Sequence, residues 1–259
     1  MKIGISSSCL YPMHTEESFR LIASRGIELS EIFFNANCEL EPSFIKELRD
    51  IKDEYGISLS SVHPTMSLAE SFMLFSNYDR RFNEGLEIFK RYGEIASELG
   101  AKYVIMHGGK YNGTMDNHGY FDRFARVAEV VRQNGATLLQ ENVVNFRAGS
   151  LESLEDMSNY LGDNVSFCLD VKQSIRGGYS PYDVLHLLGK KIKHLHLSDS
   201  NEQADCMLPL DGNFDFKKFL NEAAECGYTG DAVIEVYRAA FTEPQELFDS
   251  HQKLLSQIF

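Results

Sequence analysis

The hydrophobic and polar positions of the chain recur in one order: an amphipathic stretch with helical spacing, then a glycine, then a short apolar run typical of a β-strand. Glycine suits the left-handed conformation in which many helices end, so each junction marks a passage from helix to strand. The seven junctions lie at Gly26, Gly56, Gly100, Gly135, Gly162, Gly189 and Gly227. Seven junctions join eight strands, which we predict within "KIGISSS", "GIELSEIFF", "SLSSVHP", "YVIMHGG", "TLLQENV", "VSFCLDVK", "IKHLHLSD" and "DAVIEVY".

This repeat predicts the fold class. Eight alternations of strand and helix in 259 residues are typical of an α/β protein with a (β/α)8 TIM barrel, and a last amphipathic stretch, "PQELFDSHQKLLSQIF", supplies the eighth helix. No linker or low-complexity segment separates a second domain, so we predict a single domain over residues 1–259. The longest connection, "TMSLAESFMLFSNYDRRF" after the third strand, is expected to cover the mouth of the barrel.

Composition and charge narrow the classes of partner. The 38 acidic and 25 basic residues give a net charge of −13 without a basic cluster, so we expect no nucleic-acid partner. Five cysteines without a Cys-x-x-Cys pair favour free thiols in a reducing compartment. The N-terminus lacks the apolar region of a signal peptide and no apolar run is long enough to span a bilayer. We therefore expect a cytoplasmic protein with no membrane partner, and leave a homo-oligomer open.

Candidate chemistry lies at the ends of the predicted strands, because the active sites of such barrels lie at the carboxyl ends of their strands. The third to eighth strands end in His63, His107, Glu141, Asp170, His196 and Glu235. Alone, each residue is more often a cap, an ion-pair partner or a hydrogen-bonded core group. Together, three converging carboxylates cannot all stay ionised without a cation. We therefore predict one divalent metal ion (Mn, Mg, Co or Zn), bound by Glu141, Asp170, His196 and Glu235.

The segment "HLHLSDS" contains two histidines on one face of a strand. His194 lies one layer deeper in the barrel than His196. We interpret His196 as the metal ligand and His194 as a core group that orients a ligand.

The chain resembles the sugar phosphate isomerase/epimerase family of xylose-isomerase-like TIM barrels, which includes ketose 3-epimerases, inosose dehydratases, hydroxypyruvate isomerases and abasic-site endonucleases. The resemblance covers the whole chain and is carried by "SSVHP", "VIMHGG", "LLQENV", "CLDVKQS", "HLHLSDS", "DGNFDF" and "VIEVY". It implies metal ligation by the same four residues, Glu141, Asp170, His196 and Glu235. Similarity to the epimerase branch also implies that Glu141 and Glu235 act as the catalytic acid/base pair.

Two departures from the family pattern matter. Many members carry Asp-x-x-His on the sixth strand, whereas this chain has Gln173 three residues after Asp170. The loop after the seventh strand, "NEQADCMLPLDGN", has no histidine, which with the acidic charge argues against an abasic-site nuclease. That loop is also expected to disfavour a phosphorylated substrate, because it contains four carboxylates. They are Asp199, Glu202, Asp205 and Asp211.

These inferences predict a metal-dependent isomerase or epimerase that acts on a ketose or related polyol ketone, a small carbohydrate, through an enediolate. The sequence does not separate base from acid between the two glutamates. The expected substrate-binding residues are His63, His107, Lys172 and Arg238, although a solvated side chain is the simpler interpretation of Arg238.

Three alternatives stay open at this point. One is a metal-dependent inosose-type dehydratase. Another is an aldolase-like lyase that uses Lys172 as a Schiff-base nucleophile, which neighbouring Asp170 disfavours by keeping the amine protonated. The third is a non-catalytic sugar-binding barrel, which Gln173 would favour.

Overall fold

The computed structural model describes residues 1–64, 67–113 and 115–259. Eight parallel strands pair in chain order, and β1 pairs with β8, so the sheet is a closed barrel. The strands are β1 (Ile3–Ser6), β2 (Leu29–Phe33), β3 (Ser58–His63), β4 (Tyr103–Met106), β5 (Thr137–Glu141), β6 (Ser166–Asp170), β7 (Ile192–Leu197) and β8 (Asp231–Ile234). The predicted (β/α)8 barrel is confirmed.

Helices surround the barrel. Within the described residues they are α1 (Thr15–Ser24), α2 (Pro42–Tyr55), α3 (Ser67–Met73), α4 (Asp79–Leu99), α5 (Asn117–Gln133), α6 (Leu151–Leu161), α7 (Val171–Arg176), α8 (Pro181–Leu188), α9 (Phe216–Glu225) and α10 (Pro244–Ile258). Two of these, the short α3 and α7, add to the eight that the hydrophobic pattern predicts. None of the helices in the described ranges combines the length and apolar character needed to cross a membrane.

The junction glycines have the backbone conformation that the pattern predicts. All seven have positive φ, from 49° to 93°. At Gly56, for example, φ is 67° and ψ is 21°, a left-handed conformation that ends α2 without the steric cost a side chain would add. These turns direct each helix back to the amino end of the next strand, which leaves the carboxyl ends together at one mouth.

The connection after β3 lies only partly within the described residues, because residues 65 and 66 fall outside them. Its described part packs against the loop that follows β4. The carboxylate Oε2 of Glu70 accepts a hydrogen bond of 2.6 Å from the backbone N–H of Gly108. The ring of Phe75 lies 4.5 Å from that of Tyr120, centroid to centroid. This segment therefore borders the mouth at β4.

Two irregularities in strand pairing set which side chains meet inside the barrel. Between β2 and β3 the register shifts after Ser30, so that Glu31 pairs with Ser61. Between β6 and β7 it shifts after Phe167, so that Asp170 pairs with His196. Such shifts place an extra residue on one strand and change the direction of the side chains beyond it.

The five cysteines are all free thiols. Cys9 and Cys168 are buried, Cys206 and Cys226 are partly buried, and Cys38 is exposed. Burial raises the pKa of both Cys9 and Cys168 to about 12, so these two thiols stay protonated and unreactive.

Candidate metal centre

The six strand-end residues meet at the carboxyl end of the barrel. Their positions relative to the strands agree with the prediction to within one residue. Three of them end β3, β5 and β6, one is the next-to-last residue of β7, and two directly follow β4 and β8. In that order they are His63, Glu141, Asp170, His196, His107 and Glu235.

The four predicted metal ligands form one group. Each offers a ligand atom, and these atoms all lie within 4.8 Å of one another. Nδ1 of His196 is 3.3 Å from Oε1 of Glu141 and 3.3 Å from Oε2 of Glu235. Glu141, Asp170 and His196 are buried and Glu235 is partly buried, so bulk water does little to separate their charges.

Electrostatics and hydrogen bonding show that this group fits a cation. Burial raises the pKa of Asp170 to about 7, with Lys172 opposing the rise and Glu141 and Glu235 adding to it. Oε2 of Glu141 and Oδ2 of Asp170 are buried and accept no well-aligned hydrogen bond. His107 and Lys172 lie 2.9 and 3.1 Å from these two oxygens but without the alignment of a hydrogen bond, and a divalent ion with oxygen and imidazole ligands would satisfy both oxygens.

His63 and His107 lie beside this group and share Glu141 with it. Nε2 of His107 is 2.9 Å from Oε2 of Glu141, and Nε2 of His63 is 3.6 Å from the same oxygen. Burial alone would lower the pKa of His107, but Glu141 outweighs it and raises that pKa to about 9. His107 lines the cavity at the mouth, whereas His63 is buried behind it.

Lys172 lies within the same charged group. Its Nζ is 3.1 Å from Oδ2 of Asp170 and 3.2 Å from Oε2 of Glu235. Burial acts to lower the pKa of Lys172, but these two carboxylates outweigh burial and hold it well above its usual range. The ammonium also lies 4.9 Å from the centre of the Tyr237 ring. Lys172 is therefore a charged donor that faces the cavity.

Gln173 and Arg238 line the cavity but are held by backbone contacts. The backbone N–H of Gln173 donates to Oδ1 of Asp170 at 3.0 Å, and its side-chain oxygen accepts from the N–H of Val144 at 3.2 Å. The guanidinium of Arg238 donates to the carbonyls of Phe241 and Thr242, at 2.7 and 2.8 Å. The contacts of Arg238 stabilise its own loop.

The cavity at the mouth has a volume of about 680 Å³. Part of its wall comes from residues that the sequence pattern does not indicate, because they lie in loops, in a short 3-10 helix or at a strand end that carries no ligand. They are Ser8, Tyr11, Phe33, Asn35 and Tyr237. Aromatic rings on this wall suit the C–H faces of a sugar, and the polar groups suit its hydroxyls.

Sequence reasoning also misses Glu31, a fully buried carboxylate on β2. Burial acts to raise its pKa, but His196 and His194 outweigh burial and hold the pKa of Glu31 well below its usual range. The available signal was a glutamate within the apolar strand "GIELSEIFF", where an unpaired carboxylate would be costly.

Fold and site together define a (β/α)8 barrel with a buried carboxylate and histidine group at its carboxyl-end mouth. The chain belongs to the xylose isomerase-like TIM barrel family, whose model matches residues 19–258. The resemblance inferred from the sequence motifs is thereby confirmed.

Two relatives of the chain are an inosose dehydratase and a fructoselysine 3-epimerase. The chain is 25% identical to inosose dehydratase of Geobacillus kaustophilus, over 73% of this chain and 70% of that one. It is 21% identical to fructoselysine 3-epimerase of Escherichia coli O157:H7, over 95% and 94%. Among solved structures, that of the IOLI protein with a binding zinc atom aligns with a TM-score of 0.79 at 18% identity, over 100% and 98%.

Proposed function

We propose that the protein is a divalent-metal-dependent sugar isomerase or epimerase that acts on a ketose or related polyol ketone through an enediolate. The observation that carries this proposal is the group of Glu141, Asp170, His196 and Glu235, whose ligand atoms lie within 4.8 Å of one another beside the cavity. The 3-epimerase relative supports a sugar substrate. The zinc atom bound by the structural neighbour supports a metal in this barrel.

One divalent ion (Mn, Mg, Co or Zn) would be held by these four residues, since three carboxylates and one imidazole are suitable ligands for all of them. When bound there, it would polarise the carbonyl and adjacent hydroxyl oxygens of the substrate and stabilise the negative charge of an enediolate.

Glu141 and Glu235 are the two glutamates that line the cavity, and they come from β5 and β8, on different sides of the barrel. One carboxylate removes the proton from the carbon that carries the hydroxyl next to the carbonyl. The other returns a proton to the opposite face of the same carbon, which inverts its configuration. Removal of a proton from the terminal carbon C1 and its return to the former carbonyl carbon C2 would instead interconvert ketose and aldose.

Cavity-lining cations would bind and orient the substrate. Lys172 has its charge balanced by Asp170 and Glu235, and its ammonium donates to substrate oxygens at the mouth. His107, whose Nε2 lies 2.9 Å from Oε2 of Glu141, is a second donor. His63 supports His107 through a contact of 3.1 Å between their Nε2 atoms. Arg238 would act at the rim, because its guanidinium is held by the carbonyls of its own loop.

The substrate is expected to be unphosphorylated. In the described part of the chain, the lysine and the arginine that line the cavity are both engaged, Lys172 by two carboxylates and Arg238 by two carbonyls. A phosphate dianion needs positive charge that no carboxylate already balances, and His107 likewise pairs with Glu141. The acidic loop after β7 contributes less to this argument than its charge suggests, since Asp199 accepts four backbone N–H groups and Asp205 pairs with Arg176.

An inosose-type dehydratase is the second candidate, and the Geobacillus relative favours it. It would begin with the same proton removal next to a carbonyl, followed by loss of the neighbouring hydroxyl as water. A Schiff-base mechanism is disfavoured, because the raised pKa of Lys172 keeps its nitrogen protonated and without a free electron pair.

The test is a panel of ketoses and inososes incubated with the protein in deuterated water and followed by NMR. We expect inversion or isomerisation of at least one ketose, with deuterium entering the reacting carbon and with loss of turnover after chelation. Loss of water from an inosose, without epimerisation of any ketose, would select the dehydratase. Full turnover by metal-free protein would contradict both, and sugar binding without turnover would indicate a binding protein.

A further inference from the structure

Glu31 is a buried carboxylate that the proposed chemistry leaves without a role. It lies in the middle of β2, has no exposed surface, and is not part of the cavity wall. Burial of a charged group is costly unless that group is paired, so its partners indicate what it does.

Two serines hold the carboxylate of Glu31 from the neighbouring strands. The strand register places Ser6 of β1 and Ser61 of β3 on either side of Glu31. The hydroxyl of Ser6 donates to Oε1 at 3.0 Å, and that of Ser61 donates to Oε2 at 2.7 Å. Both oxygens are therefore held, and Oε2 has capacity to accept a further hydrogen bond.

The third contact of this carboxylate is with His196 of β7. Oε2 of Glu31 lies 3.1 Å from Nε2 of His196. An ionised carboxylate oxygen only accepts, so this contact favours a proton on Nε2. Nδ1, the other nitrogen of the same ring, is 3.3 Å from carboxylate oxygens of both Glu141 and Glu235. The two nitrogens of His196 thus face different layers of the barrel.

We propose that Glu31 is a positioning residue that holds His196 with its proton on Nε2 and thereby directs the lone pair of Nδ1 to a divalent cation. This inference rests on the proposed function, because it concerns the same metal group. A ligating imidazole commonly donates its second N–H to a carboxylate that fixes the orientation of the ring and strengthens ligation.

The first histidine of "HLHLSDS", His194, is held differently from His196, which separates the two roles. Nδ1 of His194 donates to the backbone carbonyl of Asp231 at 3.0 Å. Its Nε2 lies 3.2 Å from Oγ of Ser61 and 3.6 Å from Oε2 of Glu31. His194 therefore packs beneath the contact between Glu31 and His196, with neither nitrogen directed to the cavity.

Calorimetric titration with Zn²⁺ or Mn²⁺ tests the positioning role in three variants. Glu31→Met removes the acceptor at similar volume and should weaken metal binding roughly 10- to 100-fold, the usual effect of losing such a partner. Glu31→Gln keeps a neutral acceptor and should lose less metal affinity than Glu31→Met. Ser30→Ala is the matched control: it removes buried hydrogen bonds to the carbonyls of Ile5 and Glu31 without a contact to the Glu31 carboxylate or to His196. It should bind metal as the wild type does.

NMR of protein labelled with ¹⁵N at histidine gives a readout that a merely structural role would not change. Assignment of the His196 signals comes from their absence in His196→Gln. In the zinc-bound wild type we expect Nδ1 to be the ligated nitrogen and Nε2 to carry the proton. In Glu31→Met the Nε2 proton should exchange faster with solvent or the ligated nitrogen should change.

The outcomes separate this inference from the proposed function. Ligation through Nε2 in the wild type overturns the inference without any variant, even if Glu31→Met fails to fold. Equal metal affinity and identical imidazole signals in the wild type and Glu31→Met overturn it as well. If the wild type binds no divalent ion, the proposed function fails. The orientation of the His196 ring is then tested in metal-free protein. Unchanged exchange of the Nε2 proton in Glu31→Met would contradict the positioning role of Glu31.

Discussion

The interior of the barrel beneath the metal group differs between its two sides. Under β4, β5 and β6 lies a small apolar cluster of Ile105, Leu139 and Cys168, each two residues before a charged group at the mouth. Under β1, β2, β3 and β7 lies a polar cluster that is hydrogen-bonded throughout. Its members are Ser6, Glu31, Ser61 and His194.

The difference follows from the chemistry of the ligands above each side. A carboxylate has two equivalent oxygens, so Glu141 and Asp170 need no partner that selects the ligating atom, and apolar packing beneath them is sufficient. Imidazole has two nitrogens that are not equivalent, and only one can carry the lone pair in the neutral ring. His196 therefore needs a polar partner below it, and Glu31 fills that position. The apolar side supplies stability, and the polar side selects the ligating nitrogen.

The largest expected effect is on the two glutamates that line the cavity. Glu141→Gln and Glu235→Gln should each lower turnover by about 10²- to 10⁴-fold, the usual range for loss of a general acid or base. Gln173→Ala is the matched control, because Gln173 lines the same cavity and does not exchange protons near neutral pH. Steady-state rates measure all three, and a larger loss in Gln173→Ala than in either glutamate variant would refute the assignment.

The two sides of the interior should respond differently to truncation. Leu139→Ala opens a cavity in the apolar side and should lower the free energy of unfolding by about 2–5 kcal/mol. Ser61→Ala removes a hydrogen bond to Glu31 from the polar side and should cost about 1–3 kcal/mol. Urea unfolding measures both losses. Metal affinity should fall more in Ser61→Ala than in Leu139→Ala. The reverse order would contradict the claim that the polar side supports metal binding and the apolar side does not.

Lys172 pairs with Asp170 and Glu235. A substitution of Lys172 tests whether the metal or the amine carries out the chemistry. Lys172→Met should lower turnover roughly 10- to 100-fold through loss of a charged hydrogen bond, while the metal stays bound. Borohydride added to the wild type with substrate should leave no adduct on Lys172 in peptide mass spectra. A trapped adduct in an active, metal-free enzyme would replace this mechanism by Schiff-base chemistry.

The smallest expected effect is on the pH dependence of stability, and it arises in the outer helix α10. Nε2 of His251 on α10 donates to the carbonyl of Ile3 at 2.8 Å, and burial lowers the pKa of His251 despite that hydrogen bond. The unfolded chain then binds more protons than the folded one, so stability falls as the pH drops below about 6.5. His251→Gln keeps a donor and does not titrate. Lowering the pH from 7 to 5 should therefore reduce the free energy of unfolding, measured with urea, more in the wild type than in the variant. Equal reductions would contradict the lowered pKa of His251.

The barrel could be predicted from the sequence because each of its elements carries a local signal. The seven junction glycines mark the passages from helix to strand, and all have positive φ. Period-two alternation within each strand indicates which side chains face the barrel axis. The same alternation, with the strand ends, was enough to bring Glu141, Asp170, His196 and Glu235 together.

The polar support under His196 could not be predicted, because it depends on pairing between distant strands. The register shift after Ser30 pairs Glu31 with Ser61 instead of Ser60. No local pattern in either strand indicates this shift. The cavity wall escaped prediction for a related reason: Tyr11 and Tyr237 lie in loops, whose path no periodicity determines.

The metal content of the wild type and of Glu235→Ala, determined side by side by elemental analysis, tests the central claim most directly. The account predicts about one divalent ion per chain in the wild type and a large loss of that ion in the variant, because Glu235 supplies one of four ligands. A wild type that binds no divalent ion, or a variant that retains the full metal content, would contradict it.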